Sequence, residues 1–175
     1  MSIYSVLKTY SGKYTVKNKN KYRGDLKNVV YRSMWEKWVF KWCDENTSIK
    51  EWSSEEIIVP YYYEVDKRYH RYFVDVFIRF DNGKTLLVEI KPDKQTRPPE
   101  SKRKTKKYIK EGLEYVKNMN KWEAANKVAK DNGWTFEIWT EHTLRKMGIM
   151  PKENKPMPGK LKPLKPYRKK SKKSV

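Results

Sequence analysis

In a chain of 175 residues, 41 Lys and Arg stand against 21 Asp and Glu, which gives a formal net charge of +20 and a pI of about 9.8. That length suits one domain with appendages, and the charge favours a polyanion partner by phosphate neutralisation and counterion release; charge alone does not separate nucleic acid from an anionic membrane or from a merely basic soluble protein. No run approaches the ~18 apolar residues of a membrane span, the N-terminus lacks a secretory apolar stretch, and Cys43 with His70 and His142 as its only companions excludes an internal disulfide and a zinc site of usual composition, so a reducing cytosol is the expected setting.

Residues 1–27 mix Tyr, Lys, Gly and Asn without periodicity and read as an N-terminal arm or loop-rich lead-in. Asn28 is the expected cap of a helix running to about Glu45. On it Tyr31, Trp35, Trp38, Val39 and Trp42 recur at spacings of four and three and form one apolar face. Cys43 falls in this stretch as an inert core thiol. Seven Trp and thirteen Tyr let a compact core form although only 37% of the chain is hydrophobic, since each ring buries a large area. EEIIVPYYY, residues 55–63, reads as a strand with Pro60 near an edge or a bend.

The segment RYFVDVFIRFDNGKTLLVEIKP, residues 71–92, reads as a β-hairpin. Tyr72, Val74, Val76, Ile78 and Phe80 alternate with Arg71, Phe73, Asp75, Phe77 and Arg79 at the period of a strand. Asp81-Asn82-Gly83 is a turn signal with Gly at its end, as a type I turn followed by a bulge requires. With those three residues as the loop, Phe80 faces Lys84, Asp75 lies opposite Glu89 and Phe73 opposite Lys91. Asp75, Glu89 and Lys91 then share one sheet face. A two-residue loop would put Asp75 opposite Ile90 and divide the set between the two faces.

Residues 93–107, DKQTRPPESKRKTKK, form a basic connection. Helical spacing resumes from about Ser101, carried by Tyr108, Ile109, Leu113, Tyr115, Val116, Trp122, Ala125, Val128 and Ala129, and stops at Asn132-Gly133. WTFEIWT, residues 134–140, alternates and should join the sheet, and Glu141–Met147 suits a short helix. From Pro151 onward five Pro and ten Lys or Arg accompany a single acid, Glu153. Such a composition cannot bury enough apolar surface to fold, so residues 151–175 read as a disordered basic tail.

Hydrolysis of a phosphodiester needs a water nucleophile, in-line geometry and neutralisation of charge on the phosphate, and a carboxylate-held magnesium ion can supply all three. Magnesium takes oxygen ligands and keeps several waters, so two carboxylates suffice. Asp75 and Glu89 supply them, and the backbone carbonyl of Ile90 can add a third oxygen. Lys91 projects from the same face and can orient the attacking water and stabilise developing charge; the spacing leaves open whether it also removes a proton. Glu-x-Lys is common on solvated sheet faces, yet these carboxylates interrupt strongly apolar strands, where such groups are costly unless paired or used. Glu36 lies four residues after Arg32, which suits a surface ion pair or a helix acid pointing over the sheet.

This order, with Glu36 on a helix, Asp75 on a strand, a hairpin and then Glu89-x-Lys91, resembles the restriction-endonuclease-like PD-(D/E)xK superfamily. YRSMWEKWVFKWCDEN, EWSSEEIIVPYY, RYFVDVFI and VEIKP resemble, more closely, the head-completion nucleases of T-even-type tailed phages, a group similar in turn to the transposon-end endonuclease TnsA. The likeness runs through roughly residues 20–140. It implies a magnesium-dependent (Mg2+) endo- and exonuclease, with manganese able to substitute, that belongs to the virion and acts when DNA-filled heads are finished and tails join. By the same resemblance Asp75 and Glu89 bind metal, Lys91 is catalytic and Glu36 is the helix acid. Val74 stands where the superfamily name has Pro.

Elsewhere, Glu55 or Glu56 can reach the metal or remain an exposed charge. Arg71 can bind the scissile phosphate or form a surface ion pair. Tyr61, Tyr62 and Tyr63 can stack on unpaired bases or pack alternately into the core. Lys102, Arg103, Lys104, Lys106 and Lys107 can contact backbone phosphates or solvate a helix end. The expected architecture is a single α/β domain over residues 28–150, a restriction-endonuclease-like mixed central sheet flanked by helices. The expected partners are double-stranded DNA and the capsid portal or neck, in the virion and in the host cytoplasm during assembly, with no membrane. The alternatives are a restriction, repair or transposition nuclease, and a non-catalytic basic DNA-binding virion protein.

Overall fold

The computed structural model describes residues 10–101 and 103–150. The basic tail, and with it the expectation of disorder there, lies outside the described residues, as do Lys102 and residues 1–9. The stretch expected as an arm or loop-rich lead-in packs onto the domain from Gly12 onward. β1 (Gly12–Lys13) pairs antiparallel with β2 (Val30–Tyr31), and Val16 and Tyr22 are buried in the core. What pins this stretch is a fully buried carboxylate. Asp44 accepts hydrogen bonds from the Tyr14 hydroxyl at 3.1 Å, the Lys17 amide at 2.8 Å and the Asn18 amide at 2.9 Å. A buried charge of this kind is tolerable only when donors surround it.

The first helix, α1 (Met34–Glu45), begins six residues after the expected cap at Asn28. Val30 and Tyr31 are occupied by β2, and the cap is Ser33. Its hydroxyl accepts from the Glu36 amide at 3.2 Å and donates to Glu36 Oε1 at 2.8 Å, while Glu36 Oε2 accepts from the Arg32 amide at 2.7 Å. Ser33-x-x-Glu36 is a capping-box spacing, and it settles the start of the helix.

A strand not expected from the sequence, β3 (Ile49–Ser54), follows; the strand expected over 55–63 is β4 (Ile58–Tyr63). β3 hides behind its polar residues. Glu51 is buried but held by Arg23 at 2.8 Å and Arg79 at 2.7 Å, so it offers no alternation to read.

The strand expected over 71–80 is divided. β5 (Arg68–Phe73) pairs antiparallel with β4 as a separate two-stranded ribbon, and β6 (Val76–Phe80) enters the main sheet. That sheet has the order β3-β6-β7-β8, with β7 (Thr85–Ile90) antiparallel to β6 and β8 (Thr135–Trp139) parallel to β7. Between β6 and β7 the three-residue loop is as expected. The Phe80 amide donates to the Lys84 carbonyl at 2.9 Å, and Gly83 takes the left-handed φ of +86° that the bulge demands.

The connection from β7 to β8 holds α2 (Lys106–Asp131), which starts five residues later than expected, capped by the Thr105 hydroxyl, and ends at Asn132-Gly133 as expected. α3 (Glu141–Lys146) is the last element among the described residues. The result is the expected mixed α/β architecture with helices on both faces. Val39, Phe40 and Cys43 of α1 pack with Trp52, Val76, Ile78 and Val88 on one face. Ala125 and Ala129 of α2 pack with Phe77 and Leu87, and with Val59, Tyr61, Tyr72 and Val74 of the ribbon and its exit, on the other. Cys43 is the inert thiol expected, fully buried, with burial pushing its pKa well up.

Ser33→Ala removes the cap of α1. It should cost about 1 kcal/mol and lower Tm by roughly 2–4 °C in a thermal melt.

Candidate active site

The site forms where the chain leaves one sheet for the other. The β6–β7 ladder pairs Val76 with Val88 and Phe77 with Leu87, and the same register carried one step further sets Asp75 opposite Glu89. Carried a further step it would pair Val74 with Ile90, and that pair does not form. Val74 gives its amide to the Ile57 carbonyl at 3.0 Å, at the head of the ribbon. The Ile90 amide donates instead to Asp75 Oδ2, at 2.7 Å. The phase of the strand shifts here. Tyr72 and Val74 face α2 together with Phe77, whereas Val76 and Ile78 face α1. The expected pairing of Phe73 with Lys91 is therefore wrong, since Phe73 pairs with Ile58 in the ribbon.

Glu89 is 3% exposed at the end of β7. Its Oε2 accepts from the Tyr72 hydroxyl at 2.5 Å and its Oε1 from Lys91 Nζ at 3.0 Å. The Lys91 amide donates to the Trp139 carbonyl at 3.1 Å, which anchors Lys91 to β8. Asp75, Glu89 and Lys91 are thus brought together. Burial first, and then the Glu89 charge, pushes the Asp75 carboxyl well above its ordinary pKa; the Ile90 amide and Lys91 only partly oppose this. For Lys91 burial acts downward, but the Glu89 and Asp75 charges outweigh it, and its pKa is raised. Burial likewise raises the Tyr72 hydroxyl, with Glu89 and Asp75 adding to it, so Tyr72 stays a donor.

Glu36 approaches from the N-terminus of α1, and its charge bears on Asp75. Its pKa is raised by burial, against the hydrogen bonds from Arg32 and Ser33. The expected alternative of an Arg32–Glu36 side-chain pair is not what forms. Arg32 gives its amide to Glu36 and its guanidinium to both oxygens of Glu55, at 2.9 and 3.0 Å. Glu55 holds a left-handed φ of +56° to make that pair, and Glu56 turns away to the Asp25 amide.

The proposed nucleic-acid residues are not gathered at the carboxylates. Arg71 lies on the face of β5 opposite Tyr72, exposed, with its guanidinium 5.8 Å from the Phe73 ring centroid. Arg103, Lys104, Lys106 and Lys107 are exposed at the start of α2, and Lys102 lies outside the described residues. Lys106 and Lys121 are separated by about 22 Å along the helix axis. Of the three tyrosines, Tyr61 is buried and Tyr62 exposed, the alternate packing expected of a strand.

Sequence reasoning missed Tyr72 and the α2 wall of the site. Lys121 lies over Tyr72, its pKa lowered by burial and opposed by the Glu89 charge, and Glu114 bears on both Lys91 and Lys121. The spacing of Glu114, Lys117 and Lys121, at three and then four residues, was the available signal.

No three His, Cys, Asp or Glu side chains among the described residues gather as a metal cage. The donor set is two carboxylates and a carbonyl. In an extended strand one residue's amide and carbonyl point to the same side, so the Ile90 carbonyl faces the edge where the β6 ladder has ended. A sheltered pair of carboxylates with an oxygen beside them fits a hard, partly hydrated cation such as magnesium.

A family model described as TnsA-like endonuclease N terminal matches residues 46–141, a span that contains Asp75, Glu89 and Lys91 but not Glu36. The head completion nuclease of Enterobacteria phage T4 is 40% identical over 145 residues, covering 80% of this chain and 97% of that protein. No solved structure matches.

The raised Asp75 pKa has a definite sign. Its contribution to stability is present below the ordinary Asp pKa and is lost as pH rises through the raised folded value. Asp75→Asn keeps an oxygen for the Ile90 amide and should raise Tm at pH 8, with the gain shrinking toward pH 4. Tyr72→Phe should act oppositely, costing about 1.5–3 kcal/mol by leaving Glu89 short of a donor. Thermal melts of both variants across pH check the pair.

Proposed function

The chain belongs to the TnsA-like endonuclease family, and from that premise we propose that it is a magnesium-dependent deoxyribonuclease hydrolysing phosphodiester bonds of double-stranded DNA. One observation carries the reading: Asp75, Glu89 and Lys91 meet at the break between β5 and β6, inside the matched span. The net charge of +20 supports a polyanionic substrate.

When bound by Asp75, Glu89 and the Ile90 carbonyl, magnesium, or manganese in its place, supplies charge neutralisation and an activated water. The Ile90 amide fixes one oxygen of Asp75 and leaves the other to face the substrate side. Tyr72 fixes Glu89 from the α2 side. Lys91, seated on Glu89 and anchored to β8, places an ammonium beside the scissile phosphate, where it orients the attacking water and stabilises developing charge. Glu36 adds an acid from the first turn of α1, and its charge bears on Asp75.

The biological role we propose is endo- and exonucleolytic action on packaged phage DNA during head completion and head–tail joining. The chain would act in the host cytoplasm during assembly and in the virion, against the portal or neck. The share of the phage relative that is covered, 97%, favours this role. The TnsA-like match alone would fit a transposition-type nuclease as well.

Plasmid DNA incubated with the full chain should be cleaved in magnesium or manganese and left intact in excess chelator, with calcium supporting binding but little cleavage. Asp75→Asn and Glu89→Gln should each reduce the rate by at least ~100-fold, and Lys91→Ala should reduce turnover more than DNA affinity. Cleavage that persists in excess chelator overturns the mechanism.

A further inference from the structure

We propose that Lys121 and Lys117 of α2 form a phosphate-binding pair that grips the DNA backbone beside the scissile bond; this rests on the nuclease reading. Lys121 Nζ lies 5.4 Å from the centroid of Tyr72 and 6.0 Å from that of Tyr61, and Lys117 Nζ lies 6.0 Å from that of Tyr63. Neither ammonium has an ion pair or hydrogen bond among the described residues, although both are partly buried. Ring faces balance a positive charge, but they accept none of the three N–H bonds that an ammonium offers. A sheltered cation with unspent donors is suited to an anion with several acceptor oxygens.

The place of the pair selects which anion. Tyr72, under Lys121, donates to Glu89, and Glu89 holds Lys91. Lys121 is therefore one side chain away from the proposed chemistry. The charged groups facing it are Glu89, Lys91, Lys117 and Glu114. Once Glu89 is engaged by a cation, three lysines remain with Glu114 as their only nearby acid among these groups. Lys117 and Lys121 are one turn apart, with Cβ atoms about 5–6 Å from one another, which suits neighbouring phosphates of one strand. Lys106 and Lys110 continue the same face of α2 toward its start. The row links the exposed basic cluster near Lys104–Lys107 to the carboxylates, and it gives that cluster phosphates about 20 Å from the cut to hold.

The test is fluorescence anisotropy of an end-labelled duplex oligonucleotide with the full chain in calcium, which engages the carboxylates with little cleavage, over a salt series. Lys121→Met keeps the aliphatic contact with Tyr61 and Tyr72 and should weaken binding about tenfold. It should also reduce the slope of log affinity against log salt by about 0.9. Lys121→Arg should restore both, and Tm should not fall in either variant. In magnesium, Lys121→Met should raise the DNA concentration needed for half-maximal rate more than it lowers the rate at saturation. Lys117→Met, at a position that meets one ring rather than two, should show the same changes in smaller measure, and it serves if Lys121→Met does not fold. Unchanged affinity and salt slope in the folded variants overturn the inference while the nuclease reading stands, provided that the parent chain binds the duplex and cleaves it in magnesium. A parent chain that does neither removes both.

Discussion

The hydrogen bond from the Ile90 amide to Asp75 governs the architecture around it. An amide at the end of a buried strand must find an acceptor. The neighbouring strand would supply one if Val74 stayed in the ladder. Because Val74 turns to Ile57 instead, a carboxylate takes that place. The exchange frees the ribbon of β4 and β5 to swing over α2 and opens the Ile90 carbonyl at the strand edge. It also fixes Asp75 against Glu89. One broken rung thus builds the edge of the sheet, the position of the ribbon and the donor set together.

The consequence is a concentration of charge that packing alone would not tolerate. Glu89 is nearly inaccessible, and Asp75 beside it is pushed toward the protonated form by burial and by Glu89. Among the described residues Tyr72 and Lys91 satisfy Glu89, whereas the one hydrogen bond to Asp75 comes from the Ile90 amide. The asymmetry leaves Asp75 with less compensation than Glu89, since the Lys91 charge opposes its shift only in part. That imbalance is the physical argument for a cation there. Two further buried carboxylates are satisfied away from the site, Asp44 by residues 14–18 and Glu51 by Arg23 and Arg79.

The two faces of the sheet divide the work. α1 closes an apolar core built on Phe40, Trp52 and Ile78, and it lends only its first turn, through Ser33 and Glu36, to the site. α2 seals the other face with small residues, Ala125 and Ala129, which let the helix lie close to Phe77 and Leu87. One turn before Ala125 the same helix presents Lys121 and then Lys117 over tyrosines of the ribbon. The closeness set by the alanines therefore decides how near those lysines lie to Glu89.

The hairpin loop, its register and the juxtaposition of Asp75 with Glu89 and Lys91 were legible in the sequence, because each follows from local rules. Asp81-Asn82-Gly83 favours a three-residue loop, and the loop length sets the pairings behind it as far as Asp75 and Glu89. The end of α2 at Asn132-Gly133 and the alternation of 134–140 were legible for the same reason. The start of α1 was misplaced, although Ser33-x-x-Glu36 marks it locally. The break at Val74, the buried β3 and the partners of Tyr72, Arg32 and Lys121 were not legible. Each depends on which of several acceptors or charges, distant in sequence, lies nearest in space. Alternation along 71–80 reads as one strand whether or not Val74 stays in the ladder, and only the position of Ile57 decides that it leaves. Sequence determines what a residue can offer at short range; the tertiary fold decides what it meets, because burial makes an unmet amide or carboxylate too costly to leave alone.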